Sequence, residues 1–313
     1  ACPNRPECPF CLARETLDNV DVVVANHDLL LADIGMGGGV ILPDPSQSFY
    51  CIDEAHHLAK KALNQFAAEH SLYQAQWFLE RLPQMSGKIA AVTDKAEAAN
   101  LADEAAAALL EHLGEWMWHL SQAEALGRQN DYADPVWLWD EGQIPTGLHT
   151  LVDNCAISAR ALLNQVYQLN DALAAARRDK TQDSALIDKL AGEFGMAIAR
   201  AEQINAVWDL FATVTTEQEP PLAKWISVKR GDKNDYVFHV SPISSASHLA
   251  NRLWRRAAGA VLTSATLQSL GSFDLLLKQT GLHWLPETTT LALESPFAFS
   301  QHGALSLPPL QAS

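Results

Sequence analysis

The sequence predicts an α/β fold that is interrupted by a large all-α insertion. Two short β-prone apolar runs, at residues 48–52 and 260–262, each end in a cluster of polar side chains. This pattern is typical of strands buried within a parallel sheet. Between the two runs, apolar residues recur at alternating steps of three and four, which is the spacing of packed helices. A chain of 313 residues, 48% of them hydrophobic, is long enough to bury a core in each part.

The first strand ends in Asp53-Glu54-Ala55-His56-His57. The carboxyl ends of parallel strands are where such sheets bind ligands. Two adjacent carboxylates there suit the hydrolysis of ATP: Asp53 would hold Mg²⁺ through water, and Glu54 would orient the attacking water. His56 would link the nucleotide site to a neighbouring segment. The alternative interpretation is a surface helix that begins with this tetrapeptide by chance.

The second strand ends in the hydroxyl-rich stretch Thr263-Ser264-Ala265-Thr266. Hydroxyl groups at this position can hydrogen-bond the histidine and the carboxylates of the first cluster, so Ser264 and Thr266 are expected to report the state of the nucleotide. Together, the two strands with their polar ends resemble motifs II and III of superfamily 2 helicases.

The order of further segments sharpens this resemblance. Asp21-Val-Val-Val-Ala-Asn-His27, the Asp-Glu-Ala-His box, the Thr-Ser-Ala-Thr-Leu stretch and Leu293-Glu-Ser-Pro-Phe297 follow one another as in iron–sulfur helicases. The chain is thus identified as similar to the XPD-like family, above all to its DinG branch. The resemblance implies a partial RecA-like P-loop helicase motor domain, a large α-helical arch insertion and the end of an iron–sulfur element.

The same resemblance implies a division of the chain. Residues 1–19 would end the iron–sulfur element and residues 20–59 would form the first part of motor domain 1. Residues 60–221 would form the helical arch, and residues 222–313 would return to the motor domain.

The implied function is that of a fragment of an ATP-dependent DNA helicase. The parent would couple ATP hydrolysis to 5′-to-3′ movement along single-stranded DNA and would unwind duplexes in repair or replication. The implied cofactors are ATP, Mg²⁺ and a 4Fe–4S cluster, and the implied partners are single-stranded and forked DNA with replication or repair proteins. The sequence contains no phosphate loop, since Gly87-Lys88 lacks the required upstream glycine. The fragment alone is therefore expected to be inactive.

Three cysteines lie close together at the start of the chain, at Cys2, Cys8 and Cys11. Zinc or an iron–sulfur cluster can use thiolates at such spacings, although three are fewer than the usual four. By resemblance, Cys2 and Cys8 match the last two of four cluster ligands. Zinc held by all three cysteines and free thiols in a small loop remain alternatives.

The segments before and after the first strand are predicted from their composition. A short helix is expected at residues 11–17, a strand at residues 20–25, and a glycine-rich turn at residues 35–39. The family places Asn26-His27 near the helicase groove, where the two residues are candidates for DNA contact. A structural role is the other interpretation.

The insertion is predicted to be helical throughout, with breaks. Two stripes of apolar residues predict two long helices that pack in antiparallel fashion, with a polar tip at residues 179–184. The stripes are Leu148, Val152, Cys155, Ala159, Leu162, Val166, Leu169 and Leu173, and then Leu186, Leu190, Phe194, Ala197, Ala201, Ile204, Trp208 and Phe211.

After the insertion, strands are expected at residues 236–240 and 260–262, with a helix at 247–256 between them and another at 273–279. A tryptophan among cations predicts either an edge that binds a DNA strand or a solvated loop. The residues concerned are Lys224, Trp225, Lys229 and Arg230.

Charge restricts where nucleic acid can bind. The formal net charge is −15, which argues against a basic footprint over the whole surface. Residues 60–221 carry 12 Lys/Arg against 23 Asp/Glu, a net charge of −11, whereas residues 222–256 carry seven against two, a net charge of +5. No apolar run reaches the roughly 18–20 residues that span a bilayer, so a cytoplasmic protein without membrane contact is expected.

Two other classes of function stay open. The chain would be a non-catalytic DNA- or partner-binding module if its helicase motifs are vestigial. It would be a metal-dependent hydrolase if Asp53, Glu54, His56 and His57 converge on one ion.

Overall fold

The computed structural model describes residues 9–122, 136–139, 142–178, 184–213, 222–229, 234–295 and 297. Two units are present, each with its own hydrophobic core. We call them the parallel unit, which holds residues 27–66 and 246–284, and the helical unit, which holds residues 68–242. Among the described helices, none is both long and apolar enough to cross a membrane.

The parallel unit is built around two parallel strands, β1 and β6, which pair from Phe49–Gly259 to Ile52–Leu262. Its core contains Leu31, Ile34, Leu58 and Leu253, none of which is exposed. Its elements are α2 (His27–Gly35), β1 (Phe49–Ile52), α3 (Leu58–Phe66), α8 (Ala246–Leu249), a π-helical turn (Ala250–Trp254), β6 (Gly259–Leu262) and α9 (Asp274–Thr280). The short helix α1 (Pro9–Glu15) precedes it, close to the predicted position.

Glycine at position 259 allows this register. A Cβ atom at Gly259 would lie 2.6 Å from the ring of Phe49, its partner in the first pair of the ladder. Only a residue without a side chain lets the two strands begin side by side with Phe49 in place.

The predicted glycine-rich turn is present, and it encloses a carboxylate. Asp33 is fully buried, and its side chain accepts the amides of Gly39, Val40 and Ile41 at 2.9, 2.8 and 2.5 Å. Gly39 adopts a positive φ of 84°, which lets the chain curl around the carboxylate. The loop is therefore a structural support and not a phosphate-binding loop.

The helical unit packs four long helices against one face of an antiparallel sheet. The sheet has the strand order β2-β5-β4-β3, and the shared core includes Trp116, Phe194, Trp208 and Phe238. The elements are β2 (Ala68–Ser71), α4 (Leu72–Thr93), α5 (Ala96–Gln122), β3 (Val136–Leu138), α6 (Thr146–Ala176), α7 (Ser184–Ala212), β4 (Leu222–Lys229) and β5 (Asp235–Pro242).

The two predicted apolar stripes are confirmed as the seam between α6 and α7. Every member of the first stripe is buried, and so is every member of the second except Leu186, which is 43% exposed beside the buried Ile187. The predicted tip at residues 179–184 lies outside the described residues except for Ser184, where α7 begins.

The prediction that the insertion is all-helical and ends at residue 221 was wrong. β2 lies within the region that was predicted to be helical, and β4 and β5 belong to the same sheet as β2 instead of returning to the parallel unit. Ile226, Phe238 and Val240 point from β4 and β5 into the helical core, where all three are fully buried. The pairing of β2 with β5 joins segments about 170 residues apart, as Ala68 opposite Val240 shows. Local periodicity cannot predict such a contact.

The predicted strand at residues 20–25 is not formed. This segment is exposed, with Val22 at 77% and Val24 at 94%, and it pairs with no strand in the described part of the chain. A β-branched run favours extended backbone, but a strand also requires a partner for its hydrogen bonds. Among the residues that the structure describes, β6 is the only strand paired with β1.

Candidate functional site

The two polar clusters meet at the carboxyl edge of the parallel unit. β1 ends at Ile52 and β6 ends opposite it at Leu262, so the residues that follow both strands emerge at the same edge. Backbone hydrogen bonds continue beyond the strands: the Thr263 amide donates to the Ile52 carbonyl at 2.8 Å, and the Ala55 amide donates to the Thr263 carbonyl at 3.1 Å. Backbone hydrogen bonds thus link the turn after β1 to the turn after β6.

Ser264 is the centre of the side-chain network at this edge. Its hydroxyl donates to Glu54 Oε2 at 3.0 Å and lies 2.8 Å from His56 Nδ1. It also accepts the Thr266 amide at 3.2 Å, and the Thr266 hydroxyl lies 3.4 Å away. Because the one hydroxyl proton is given to Glu54, His56 must donate from Nδ1. The structure therefore brings Glu54, His56, Ser264 and Thr266 together, as the sequence predicted.

Glu54 has a left-handed backbone, with φ 49° and ψ 39°. A residue with a Cβ atom seldom adopts this conformation, and it persists where the surroundings fix it. The conformation turns the chain sharply between β1 and α3, and it places the Glu54 carboxylate 3.2 Å from His56 Nδ1. The Glu54 side chain is 60% exposed and is therefore accessible to a ligand.

Asp53 lies at the end of β1 with an exposed side chain, and its Oδ1 accepts the amide of Glu54 at 2.9 Å. Mg²⁺ is usually held by one or two carboxylates together with water and substrate phosphates. The accessible carboxylate of Asp53 at this edge fits that kind of site. Within the described residues, no three His, Cys, Asp or Glu side chains group into a metal site. This geometry disfavours the metal-dependent hydrolase with Asp53, Glu54, His56 and His57 as ligands.

Asn26 and His27 make contacts within the chain. Asn26 is the N-cap of α2, and its Oδ1 accepts the Leu29 amide at 2.8 Å. His27 Nε2 lies 2.9 Å from the backbone carbonyl oxygen of Asp53, so it must donate its proton there. No sequence pattern indicated the contact between His27 and Asp53, because the two residues are 26 positions apart.

A cleft of about 830 Å³ opens beside the turn. Its lining includes residues 20, 21 and 23–27, the strand β1, and Asp53 and Glu54. The DNA contacts predicted for Asn26 and His27 remain predictions.

The four residues of the predicted DNA edge do not share one surface. Lys224 is 3% exposed and points into the helical unit, where Nζ donates to the carbonyls of Phe211 and Thr213 at 2.7 and 2.8 Å. Burial lowers the pKa of Lys224 to about 8. Trp225 faces the other side of β4, Lys229 is exposed at the strand end, and Arg230 lies outside the described residues. Lys224 therefore acts as a cap for the carboxyl end of α7, and its ammonium group is not presented to DNA.

Beside Trp225 lies a polar chain that sequence reasoning missed. The Ser227 hydroxyl lies 2.8 Å from His239 Nε2, and His239 Nδ1 lies 3.0 Å from Glu69 Oε2. The Trp225 ring stacks on the His239 ring at 4.8 Å with an interplanar angle of 3°. Burial lowers the pKa of His239, and the charge of Glu69 opposes that shift. Only the cross-strand register brings these residues together, so no local signal could have revealed them.

The predicted metal ligands Cys2 and Cys8 lie outside the described residues. The described free cysteines are Cys51, which is exposed, and Cys155, which is buried in the helical core. Burial raises the pKa of the Cys155 thiol well above its ordinary range, which fits a packing role.

Comparisons with known proteins agree with the predicted resemblance. No family model matches the chain. A protein of Photobacterium profundum named "ATP-dependent DNA helicase DinG" is 36% identical over 309 residues, which are 98% of this chain and 44% of the relative. Proteins of the same name from Salmonella typhimurium and Escherichia coli are each 27% identical, over 97% and 96% of this chain. The chain spans less than half the length of these relatives.

Proposed function

We propose that this chain is a segment of an ATP-dependent DNA helicase of the DinG type. The observation that carries the proposal is the assembly of Asp53, Glu54, His56 and Ser264 where β1 and β6 end, in a chain that matches helicases of that name along nearly its whole length. The complete protein would couple ATP hydrolysis to 5′-to-3′ movement along single-stranded DNA. It would unwind forked duplexes during repair or replication.

In this proposal the two carboxylates divide the chemistry. Asp53 would hold Mg²⁺, and the ion would supply positive charge that neutralises the phosphate oxygens. Glu54 orients the attacking water and polarises it through the negative charge of its carboxylate. Its accessible carboxylate, fixed on one side by the Ser264 hydroxyl, supports this role.

His56, Ser264 and Thr266 couple the nucleotide to the rest of the motor. Ser264 can give its single proton either to Glu54 or to another acceptor, so a change at the nucleotide alters its bonds to His56 and Thr266. Since Thr266 lies beyond β6, a rearrangement there moves the segment that follows. The isolated chain contains no phosphate loop and is proposed to be inactive on its own.

The helical unit corresponds in this proposal to the arch, and the amino-terminal segment to the end of the iron–sulfur element. Cys2 and Cys8 would supply two of the four thiolates of a 4Fe–4S cluster. Trp225 and Lys229 of β4, and Arg230 after it, are proposed to contact DNA, and Asn26 and His27 are proposed to lie near the DNA groove. The full helicase would then use ATP, Mg²⁺ and the cluster.

The proposal is tested on the full-length protein. It should hydrolyse ATP faster when single-stranded DNA is added, and it should unwind a fork with a 5′ overhang in preference to one with a 3′ overhang. A DNA- or partner-binding module with vestigial motifs would bind DNA without hydrolysing ATP. Such a result would overturn the proposal.

The metal is tested separately by elemental analysis of the full-length protein purified without oxygen. Four iron and four sulfide per chain, lost on Cys8→Ser, are expected for the cluster. One zinc without iron would instead favour a site made by Cys2, Cys8 and Cys11 with an outside ligand.

A further inference from the structure

The turn after β1 is held from two sides. On the β6 side, the Ala55 amide bonds the Thr263 carbonyl at 3.1 Å and the Ser264 hydroxyl bonds the Glu54 carboxylate at 3.0 Å. On the opposite side, His27 Nε2 donates to the Asp53 carbonyl at 2.9 Å. The backbone contacts with the β6 side, at Ile52 and at Ala55, lie before and after the peptide that joins Asp53 to Glu54. The His27 contact acts on that peptide itself.

This peptide is the one whose orientation matters most for Glu54. The Asp53 carbonyl and the Glu54 amide lie in a single rigid plane. Fixing the carbonyl oxygen therefore limits rotation about ψ of Asp53 and φ of Glu54, and the latter is the left-handed angle of 49°. A strained angle requires such restraints, because otherwise the peptide relaxes to a common conformation.

His27 is itself held in place by its neighbours. Asn26 caps α2, and Asp28 forms an ion pair at 2.7 Å with Lys61 on α3. Since α3 begins directly after the turn, residues 26–28 contact the chain both before and after Glu54.

We propose that His27 is a positioning residue for ATP hydrolysis, acting through the Asp53 carbonyl to hold the Glu54 carboxylate in its working orientation. This inference rests on the proposed function. It differs from a DNA contact by His27, because a positioning residue affects turnover at saturating DNA and leaves DNA affinity unchanged. The positioning role also differs from a general structural role. Turnover should depend on whether residue 27 donates the hydrogen bond to Asp53, and not on the volume of its side chain.

The first test uses the present chain and does not depend on activity. His27→Ala should speed hydrogen exchange of the Ala55 amide by at least about fivefold, since a lost hydrogen bond loosens the turn locally. His27→Gln, which keeps a donor near the position of Nε2, should stay close to the original rate. His119→Ala, at a histidine of α5 in the helical unit, is the control for a change at a remote site. Equal exchange in all variants would overturn the inference.

The second test uses the full-length protein at saturating ATP and DNA. His27→Ala should lower kcat by about 10- to 100-fold, as expected when a reacting group is misplaced. KM for ATP and Kd for a single-stranded oligonucleotide should stay within about a factor of two of the values for the unsubstituted protein. His27→Gln should recover most of the turnover. The carboxamide makes the same donation to Asp53 but is a poor substitute for a ring that stacks on or contacts DNA.

The outcomes distinguish a failure of the proposed function from a failure of the positioning role of His27. If the unchanged full-length protein shows no ATPase, the proposed function fails, whatever the exchange experiment shows. If it shows ATPase and His27→Ala keeps its kcat, or loses DNA affinity with kcat retained, the positioning role is overturned while the proposed function stands. Loss of kcat that His27→Gln does not restore would also overturn it.

Discussion

At the scale of single residues, the Ser264 hydroxyl links the turn after β6 to Glu54 and His56 in the turn after β1. It has one proton and several neighbours, and the geometry assigns that proton to Glu54, with His56 donating from Nδ1. The sequence predicted the members of this cluster because each follows directly on a strand. It did not predict the pairing within the cluster, which depends on how the two turns face each other.

Lys224 shows the opposite case. A lysine beside a tryptophan in a basic stretch indicated a DNA edge, but alternation along β4 sends Lys224 and Trp225 to opposite faces of the sheet. The ammonium group then finds the carbonyls at the end of α7. Sequence reasoning failed here because it treated this stretch as a loop and not as a strand.

His70 provides a prediction for pH dependence. Its ring is 4% exposed and packs against Trp208 and Phe238, and burial lowers its pKa from 6.5 to about 4. The nearby charge of Asp235 raises the pKa and His239 lowers it. Because the unfolded chain takes up the proton first, stability is full above pH 6.5 and falls as the pH drops towards 4. The loss by pH 4.5 should be about 2–3 kcal/mol.

Urea denaturation of the chain at pH 7.5 and pH 4.5 measures this loss. Other groups also titrate in this range, so the comparison is with His70→Leu, which cannot be protonated. The variant should lose about 2–3 kcal/mol less than the original chain between the two pH values. Equal losses would show that His70 is not buried in its neutral form.

At the scale of elements, the seam between α6 and α7 is the part that the sequence specified best. Apolar residues at steps of three and four required one continuous buried face, and the structure has that face in both helices. The break at residues 67–71 escaped prediction. There, four residues with little β character join a sheet only because β5 offers them an edge.

The seam predicts a contrast between two positions of α6. Leu162 is fully buried and Ile157 is 65% exposed. Leu162→Ala should lower the free energy of unfolding by about 2–5 kcal/mol, because it leaves a cavity in a packed core. Ile157→Ala should change it by less than about 0.5 kcal/mol. Thermal and urea denaturation of both variants give the two values, and similar losses would contradict the seam.

At the scale of the whole molecule, the helical unit and the parallel unit have separate cores, and the chain leaves one for the other near residues 67 and 243. Sequence patterns placed the first change about seven residues too early. They placed the second change about 20 residues too early, because the strand predicted at residues 236–240 was assigned to the parallel unit. Only the long-range pairing with β2 assigns β4 and β5 to the helical unit.

This boundary can be tested with two shortened proteins. Residues 67–242 contain the helices and the complete sheet, so they should melt cooperatively with mixed helix and strand circular dichroism. Residues 67–221 lack Ile226, Phe238 and Val240, which are fully buried in the core. That shorter protein should melt broadly and bind a dye that reports exposed apolar surface. A cooperative transition in the shorter protein alone would place the boundary at 221 after all.

The central claim is that the turn after β1 carries the carboxylate that activates water for ATP hydrolysis. It is tested most directly by Glu54→Gln in the full-length protein, with Glu80→Gln on α4 as the matched control at an exposed carboxylate. Glu54→Gln should lower DNA-stimulated turnover by at least about 100-fold, because the amide keeps the shape but lacks the negative charge that polarises the attacking water. ATP binding, measured by fluorescence of a labelled nucleotide, should persist, and Glu80→Gln should behave as the original protein. Turnover within a few-fold of the original in Glu54→Gln would contradict the assignment of Glu54.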